Sequence, residues 1–287
     1  MEAWSAFYQL GHAPQPNAQI RRTPRLTDVP SFQPAADDAG AIVLTVIVPV
    51  KNEADNILPL IREIRTALSG GPAYEILYID DGSTDATRER LADASSFAPE
   101  LRVLYHAASC GQSAALRTGV MGAKGRLIAT LDGDGQNDPA DLPRLVAAFL
   151  NPASTAELGM IAGQRVKRRD GAVKRWSSRI ANKVRSAMLG DDTPDTGCGL
   201  KVFARDAFLR LPYFDHIHRF LPALMRREGF VIGLEPVNHR PRTQGVSKYG
   251  INNRLWVGIV DLFGVFWLQR RMRRPTLITP ADIGVKP

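Results

Sequence analysis

Leu44-Thr45-Val46-Ile47-Val48-Pro49-Val50 is a continuous apolar, largely β-branched run. A run without polar alternation suits a strand buried on both faces, and such strands belong to parallel sheets covered by helices. The rhythm that follows fits. Asp55 to Ser69 carries Ile57, Leu60, Ile61, Ile64 and Leu68 at helical spacing and stops at Gly70-Gly71. Tyr74 to Ile79 predicts a second strand, and Thr84 to Ala94 a second helix with Ser83 as its cap. Leu101 to Tyr105 is a third strand, Gly111 to Gly122 a helix, Arg126 to Leu131 a fourth strand and Ala140 to Leu150 another helix. Strand alternating with helix predicts an α/β fold, a mostly parallel sheet flanked by helices and joined by right-handed crossovers.

In such sheets ligands gather outside the carboxyl ends of the strands. Three polar clusters fall there: Lys51-Asn52-Glu53, Asp80-Asp81-Gly82-Ser83, and Asp132-Gly133-Asp134-Gly135-Gln136. Acidic groups crowded together repel one another unless something positive sits among them. Asp-x-Asp after a strand can aim hard oxygen ligands at a divalent cation, and the glycines leave room for a bulky anion. A cation so held would bridge a diphosphate and stabilise it as a leaving group. The competing reading, ordinary Asp-Gly turn chemistry, is weakened by the two neighbouring clusters. The G-x-G-x-x-G and G-x-x-x-x-G-K-[ST] phosphate loops are missing from the sequence, which argues against a dehydrogenase or a P-loop enzyme.

The 287 residues suit one large domain with tails, and 44% hydrophobic content is enough for a proper core. A formal charge of +8 points to an anionic partner. Aromatics are sparse among the basic residues and no nucleic-acid motif occurs, so phosphorylated ligands and lipid head groups come before nucleic acid. Cys110 and Cys198 lie far apart and suggest a reducing compartment. Residues 1–40, rich in Pro, Ala and Gln without periodicity, predict a disordered arm with no signal peptide.

The motifs, taken together, resemble glycosyltransferases of family 2 with the GT-A fold, in particular the polyprenyl-phosphate (dolichol-phosphate) sugar synthases. Val48-Pro49-Val50-Lys51-Asn52-Glu53 is similar to V-P-x-x-N-E, and Asp80-Asp81-Gly82-Ser83-Thr84-Asp85 to D-D-G-S-x-D. Asp132, Asp134 and Gln136 resemble D-x-D-x-Q. Asp195-Thr196-Gly197-Cys198-Gly199-Leu200-Lys201 resembles D-x-T-S-G-F-R with lysine in place of the arginine, and Arg242 to Lys248 resembles R-x-x-G-x-S-K. Five motifs in the family's order span roughly residues 42–274.

The resemblance implies roles. Pro49, Asn52, Glu53, Asp80 and Asp81 would line the nucleotide-sugar pocket, with Asp132, Arg242 and Lys248. Asp132, Asp134 and Gln136 would ligate Mg²⁺ or Mn²⁺. Arg242 would hold the diphosphate, where a guanidinium bridges two oxygens. Ser247 and Lys248 would sit on a loop closing over the donor, and Gln112 and Asp195 would complete the site. Arg165, Lys174 and Ser178 match the positions that bind an acceptor phosphate, within a basic stretch that suits a doubly charged anion. The helical alternative for Glu53 is a carboxylate favoured by the macrodipole. A phosphate acceptor is already ionised, so no His or Glu base is required and His216 and His218 receive no role.

Leu255 to Leu268 is apolar but interrupted by Asp261 and followed by Gln269-Arg270-Arg271-Met272-Arg273-Arg274. About fourteen helical residues reach roughly 21 Å, short of a bilayer core of about 30 Å. Trp256, Trp267 and the arginines suit a helix lying in the interface of an anionic membrane, with a dimer contact or a core helix as alternatives. The expected organisation is an arm over 1–40, a GT-A domain over 41–250, an amphipathic helix over 251–275 and a tail over 276–287. The expected reaction is inverting transfer of mannose from GDP-mannose to a polyprenyl phosphate. Its alternative is a UDP-sugar donor, glucose or a modified pentose. A non-catalytic sugar-nucleotide-binding scaffold is the reading from another class. The expected place is the cytoplasmic face of the membrane, held peripherally, alone, as a homodimer or through a separate anchor protein.

Overall fold

The computed structural model describes residues 42–151, 157–166, 184–241 and 251–273. The proposed arm and tail lie outside them. Seven strands form one sheet: β1 (Leu44–Val50), β2 (Tyr74–Asp80), β3 (Leu101–Tyr105), β4 (Leu127–Thr130), β5 (Leu158–Arg165), β6 (Lys201–Ala204) and β7 (Val231–Val237), in the order β3-β2-β1-β4-β6-β5-β7. The first four are mutually parallel, and β5 runs parallel to β7. Only β6 is reversed, antiparallel to both β4 and β5. The mostly parallel sheet expected from the alternation is present.

Burial explains the strand residues. Six of the seven residues of β1 and all four of β4 are buried, as a sheet covered on both faces demands. Helix α1 (Ala54–Ala67) turns Ile57, Leu60, Ile61 and Ile64 inward, and α3 (Gln112–Gly122) turns Ala115, Leu116 and Val120 inward. Helix α2 (Thr87–Ser95) starts three residues later than the spacing predicted. Ser83 does not cap it, because its hydroxyl accepts from the Asn52 N–H and Thr84 N–H donates to Asn52 Oδ1. Asp85 instead accepts from the N–H and hydroxyl of Thr87. Helix α4 (Leu142–Leu150) follows a 3₁₀ turn, Pro139–Asp141, in which Asp138 accepts from Ala140 N–H.

The short α5 (Arg205–Leu209) and α6 (Leu221–Arg227) precede α7 (Ile251–Arg271). Helix α7 rests on the domain through Val265, 1% exposed, with Leu262 and Phe266 packed beside it. Asp261, which looked like an interruption of an apolar run, is a tether: its Oδ2 lies 3.0 Å from His216 Nδ1. Gln269 donates to the Leu189 carbonyl and Arg227 to that of Leu268. Val257, Val260, Phe263 and Trp267 remain exposed. No helix among the described residues is long and apolar enough to cross a membrane.

Candidate active site

Strand order reverses between β1 and β4, and a cleft of about 470 Å³ opens at that switch point beyond the carboxyl ends of β1, β2 and β4. Parallel register sets Val50 beside Asp80 and Ile47 beside Thr130, so the three polar clusters emerge together. Pro49, Glu53, Asp81, Gln112, Asp132 and Asp134 line the cleft. Asn52 and Asp80 do not. Asp80 is fully buried, its carboxylate accepting from Ser83 N–H at 2.9 Å and Arg88 Nε at 2.7 Å. Asn52 adopts φ 53°, a left-handed conformation that Asn tolerates, and clamps the end of β1 to Ser83 and Thr84. Both residues shape the turn from behind, outside the lining of the cleft.

Asp81 faces the cleft but is already engaged. Its two oxygens accept from Cys110 N–H (2.8 Å), His106 Nδ1 (2.8 Å), Ser109 Oγ (2.7 Å) and Gly111 N–H (2.9 Å). Burial alone would raise its pKa, but these donors outweigh burial and hold the carboxyl below its ordinary value. It therefore anchors the 108–111 loop, and contact with a nucleoside would be shared with that duty. Glu53 accepts from Asn56 Nδ2 at 2.7 Å and stands at the N-cap of α1, without a side-chain capping bond to its own helix.

The acidic turn is built more tightly than its sequence suggests. Asp132 N–H donates to the buried Asn137 side chain at 2.9 Å, and Asp134 accepts from Gln136 N–H at 3.1 Å. Gln112, at the start of α3, donates to Asp132 Oδ1 at 3.0 Å. Gly199 presses on the same carboxylate: a Cβ there would come within 2.1 Å of Oδ2. Burial and then the Asp134 charge raise the Asp132 pKa, against the pull of Lys201, Arg165 and Gln112. Gln136 is not among the cleft-lining residues. Its backbone carbonyl accepts from Arg240 N–H at 2.9 Å, and Asn137 pairs with His239. His239 and Arg240 thus run alongside the Asp134–Gln136 turn.

The opposite wall comes from the end of β5 and the start of β6. Arg165 grips Asp195 with two parallel bonds of 2.6 Å, Nε to Oδ2 and Nη2 to Oδ1. That pairing raises the arginine's pKa above its ordinary value, in spite of burial. The expectation placed Arg165 on an acceptor phosphate; here its fork is matched to a carboxylate at the cleft edge. Two residues were not singled out from the sequence. Lys201, 5% exposed, lines the cleft and donates to the Cys198 carbonyl. His218, also in the cleft, lies 2.8 Å from Ser113 Oγ through Nδ1, and burial pulls its pKa down to about 3, so the ring is neutral. The D-x-T-S-G-F-R resemblance was the signal for Lys201. For His218 there was none beyond its residue type. Lys174, Ser178, Arg242, Ser247 and Lys248 lie outside the described residues.

The donor set fits a hard divalent cation. Two neighbouring carboxylates crowd each other, as the raised Asp132 shows, and Mg²⁺ or Mn²⁺ is commonly held by one or two carboxylates plus substrate phosphates. Asp81, His106 and Cys110 also bring one ligand atom each within 4.8 Å of one another. Asp81 there is saturated by four donors, and both His106 nitrogens are engaged, with Asp81 and with Thr118 Oγ1. That trio is a hydrogen-bonded brace under the 108–111 loop.

A mostly parallel sheet with one reversed strand, an acidic turn at its switch point and a cleft beyond it make this a GT-A glycosyltransferase fold. The solved structure of glucosyl-3-phosphoglycerate synthase from Mycobacterium tuberculosis with Mn²⁺, UDP-glucose and phosphoglyceric acid superposes with a TM-score of 0.59. It is 18% identical and covers 81% of each chain, a likeness of fold alone. The pattern of Glycosyl transferase family 2 matches residues 45–211. The dodecaprenyl-phosphate galacturonate synthase of Rhizobium johnstonii is 35% identical over 259 residues, 87% of this chain and 74% of that protein. The undecaprenyl-phosphate 4-deoxy-4-formamido-L-arabinose transferase of Salmonella typhimurium is 34% identical over 219 residues, 74% of this chain but 64% of its own length. The chain belongs to glycosyl transferase family 2.

Proposed function

We propose that the chain transfers a sugar from a UDP-sugar to a polyprenyl phosphate, with inversion at the anomeric carbon. The observation that carries the acceptor is the state of the cleft's bases. Asp81 has four donors, Asp195 is forked by Arg165, Glu53 is bonded to Asn56, and His218 is a neutral ring of very low basicity. With Asp132 and Asp134 given to the cation, each of these other groups is already engaged or too weakly basic to deprotonate a sugar hydroxyl, so the acceptor should arrive ionised, as a phosphate does. Both relatives named above act on polyprenyl phosphates. Their sugars, galacturonate and 4-deoxy-4-formamido-L-arabinose, favour the UDP-sugar alternative over GDP-mannose.

In this reading Pro49 and Glu53 border the nucleoside, while Gln112 and Gly199 hold Asp132 in one rotamer. Asp132 and Asp134 would hold Mg²⁺ or Mn²⁺, which would supply positive charge to neutralise the departing diphosphate. Gln136 and Arg242 remain proposed for the same purpose, and Ser247 and Lys248 for loop closure. Arg165, Lys174 and Ser178 receive the acceptor phosphate, which requires Arg165 to share its fork with Asp195. Positioning then accounts for most of the acceleration.

Helix α7 supplies access to the lipid. Val260, Phe263 and Trp267 face outward, and Arg270 and Arg271 follow within a turn. An apolar stripe ending in arginines suits an anionic leaflet, giving a peripheral protein on the cytoplasmic face rather than a homodimer. A panel of labelled UDP-sugars and GDP-mannose, offered with short polyprenyl phosphate and Mg²⁺ or Mn²⁺, tests the proposal beside EDTA and Asp134→Ala controls. A lipid-linked product lost in both controls supports it. Folded protein that binds nucleotide yet makes no product from any donor sinks it.

A further inference from the structure

Among the described residues Lys201 has no anionic partner. It is 5% exposed and lines the cleft, and its ammonium donates only to the Cys198 carbonyl. Among the described residues no carboxylate lies within ion-pair distance of it. A buried charge left this way is costly, and proteins keep one where a ligand completes it. Burial pulls the ammonium below its ordinary pKa, while Asp132 and Asp195 act on it only through space. Neither is available as a partner. Asp195 is matched to Arg165, and Asp132 is held by Gln112 and set aside for the divalent cation.

Arg165 is matched to Asp195, and Asp132 with Asp134 would face a divalent cation, so Lys201 is left uncompleted in the cleft floor. The register locates it. Lys201 pairs with Thr130, two residues before Asp132, and feels both Asp132 on the donor side and Arg165 on the acceptor side. In an in-line displacement the transferred sugar must lie between the two phosphates, hence over this floor. Gly197 and Gly199 add no side chains of their own to the neighbouring wall, where Arg165 and Asp132 fill the space beside them. Where the family motif carries arginine, a planar fork can spread its donors over several neighbours; lysine holds a point charge that wants one small anion.

We infer that Lys201 receives a carboxylate on the transferred sugar, so that the chain selects uronic acid donors over their neutral counterparts. The inference rests on the proposed reaction for its orientation. Donor binding tests it separately from transfer. The full chain with Mg²⁺ is titrated calorimetrically with UDP-galacturonate, UDP-glucuronate, UDP-galactose, UDP-glucose and UDP, as wild type and as Lys201→Met.

The wild type is expected to bind its preferred uronate about 10- to 100-fold tighter than the neutral sugar of the same configuration, the usual range for a hydrogen bond to a charged group. Lys201→Met should reduce that ratio to about threefold or less while leaving the affinity for UDP within a factor of about two. It should melt no lower than the wild type, since it removes an unpaired buried charge. Equal wild-type affinity for uronate and neutral donors overturns the inference without needing a variant. So does an equal loss of UDP affinity in Lys201→Met, which would put the lysine on the diphosphate. A uronate preference with no lipid product from any donor would reject the polyprenyl phosphate acceptor and leave the role of Lys201 standing.

Discussion

Gly199→Ala should nearly abolish activity while leaving the fold intact. A Cβ at this position would lie 2.1 Å from Asp132 Oδ2 and 2.4 Å from its Cγ, whereas ordinary contact begins near 3.4 Å. The carboxylate must therefore retreat by about 1.3 Å (3.4 minus 2.1). It is the end of a side chain, so it can move by rotating, at the expense of its 3.0 Å bond from Gln112. Stability should then fall by only about 1 kcal/mol, the worth of one hydrogen bond.

Catalysis is less forgiving: displacement of a reacting group by about 1 Å costs on the order of 10²-fold, or about 2.7 kcal/mol in the barrier. Initial rates of lipid-linked product against donor and Mn²⁺ concentration, with thermal melts alongside, provide the measurement. Gly258→Ala is the matched control, because nothing lies within 4 Å of a Cβ there. Folded Gly199→Ala with kcat within threefold of wild type would refute the idea that Gly199 sets the Asp132 rotamer.

Tyr78→Phe should stabilise the protein, because the buried Tyr78 hydroxyl has no hydrogen-bond partner. A gain of about 1 kcal/mol would raise Tm by roughly 2–4 °C by calorimetry. Glu75 should contribute to acid sensitivity. Burial would raise its pKa, but Lys124 N–H, Arg102 and Thr45 together lower it from 4.5, so its stabilisation is complete above that value and lost as pH falls through the depressed one. Glu75→Gln should accordingly flatten the loss of Tm on acidification below about pH 4.5. Asp195→Ala should cost about 3–5 kcal/mol in urea unfolding, because it strands the buried Arg165 guanidinium.

The parallel half of the sheet was legible because β1, β2 and β4 are buried on both faces and read as apolar runs broken by few polar residues, Glu75 and Asp80 of β2 among them. Strand β6 was not: Lys201-Val202-Phe203-Ala204 is too short to show a period, and it holds its place through pairing with β4, some seventy residues back. The acidic cluster was visible as residue types, yet the roles within it were not. Asp80 and Asp81 are neighbours in sequence, and strand alternation sends one behind the sheet end and the other into the cleft. Asn137 was given no reading from the sequence, and its buried amide fixes the Asp132 backbone. Lys201 was noted only as a lysine in place of the motif's arginine, since sequence carries no record of which carboxylates are already paired.

The reversal of β6 separates two inheritances. The nucleotide side of the cleft descends from the ends of β1, β2 and β4, cross-braced by Asn52, Asp81 and Asn137. The facing wall descends from the beginning of β6 and the end of β5, and its own brace is the Arg165–Asp195 pair. The two sides meet where the Thr130 hydroxyl donates to the Gly199 carbonyl at 2.6 Å. A codon change at position 201 alters the charge on the facing wall while the bonds made by Asn52, Asp81 and Asn137 pass on unchanged. A scaffold divided in this way can diversify its sugars faster than its nucleotides.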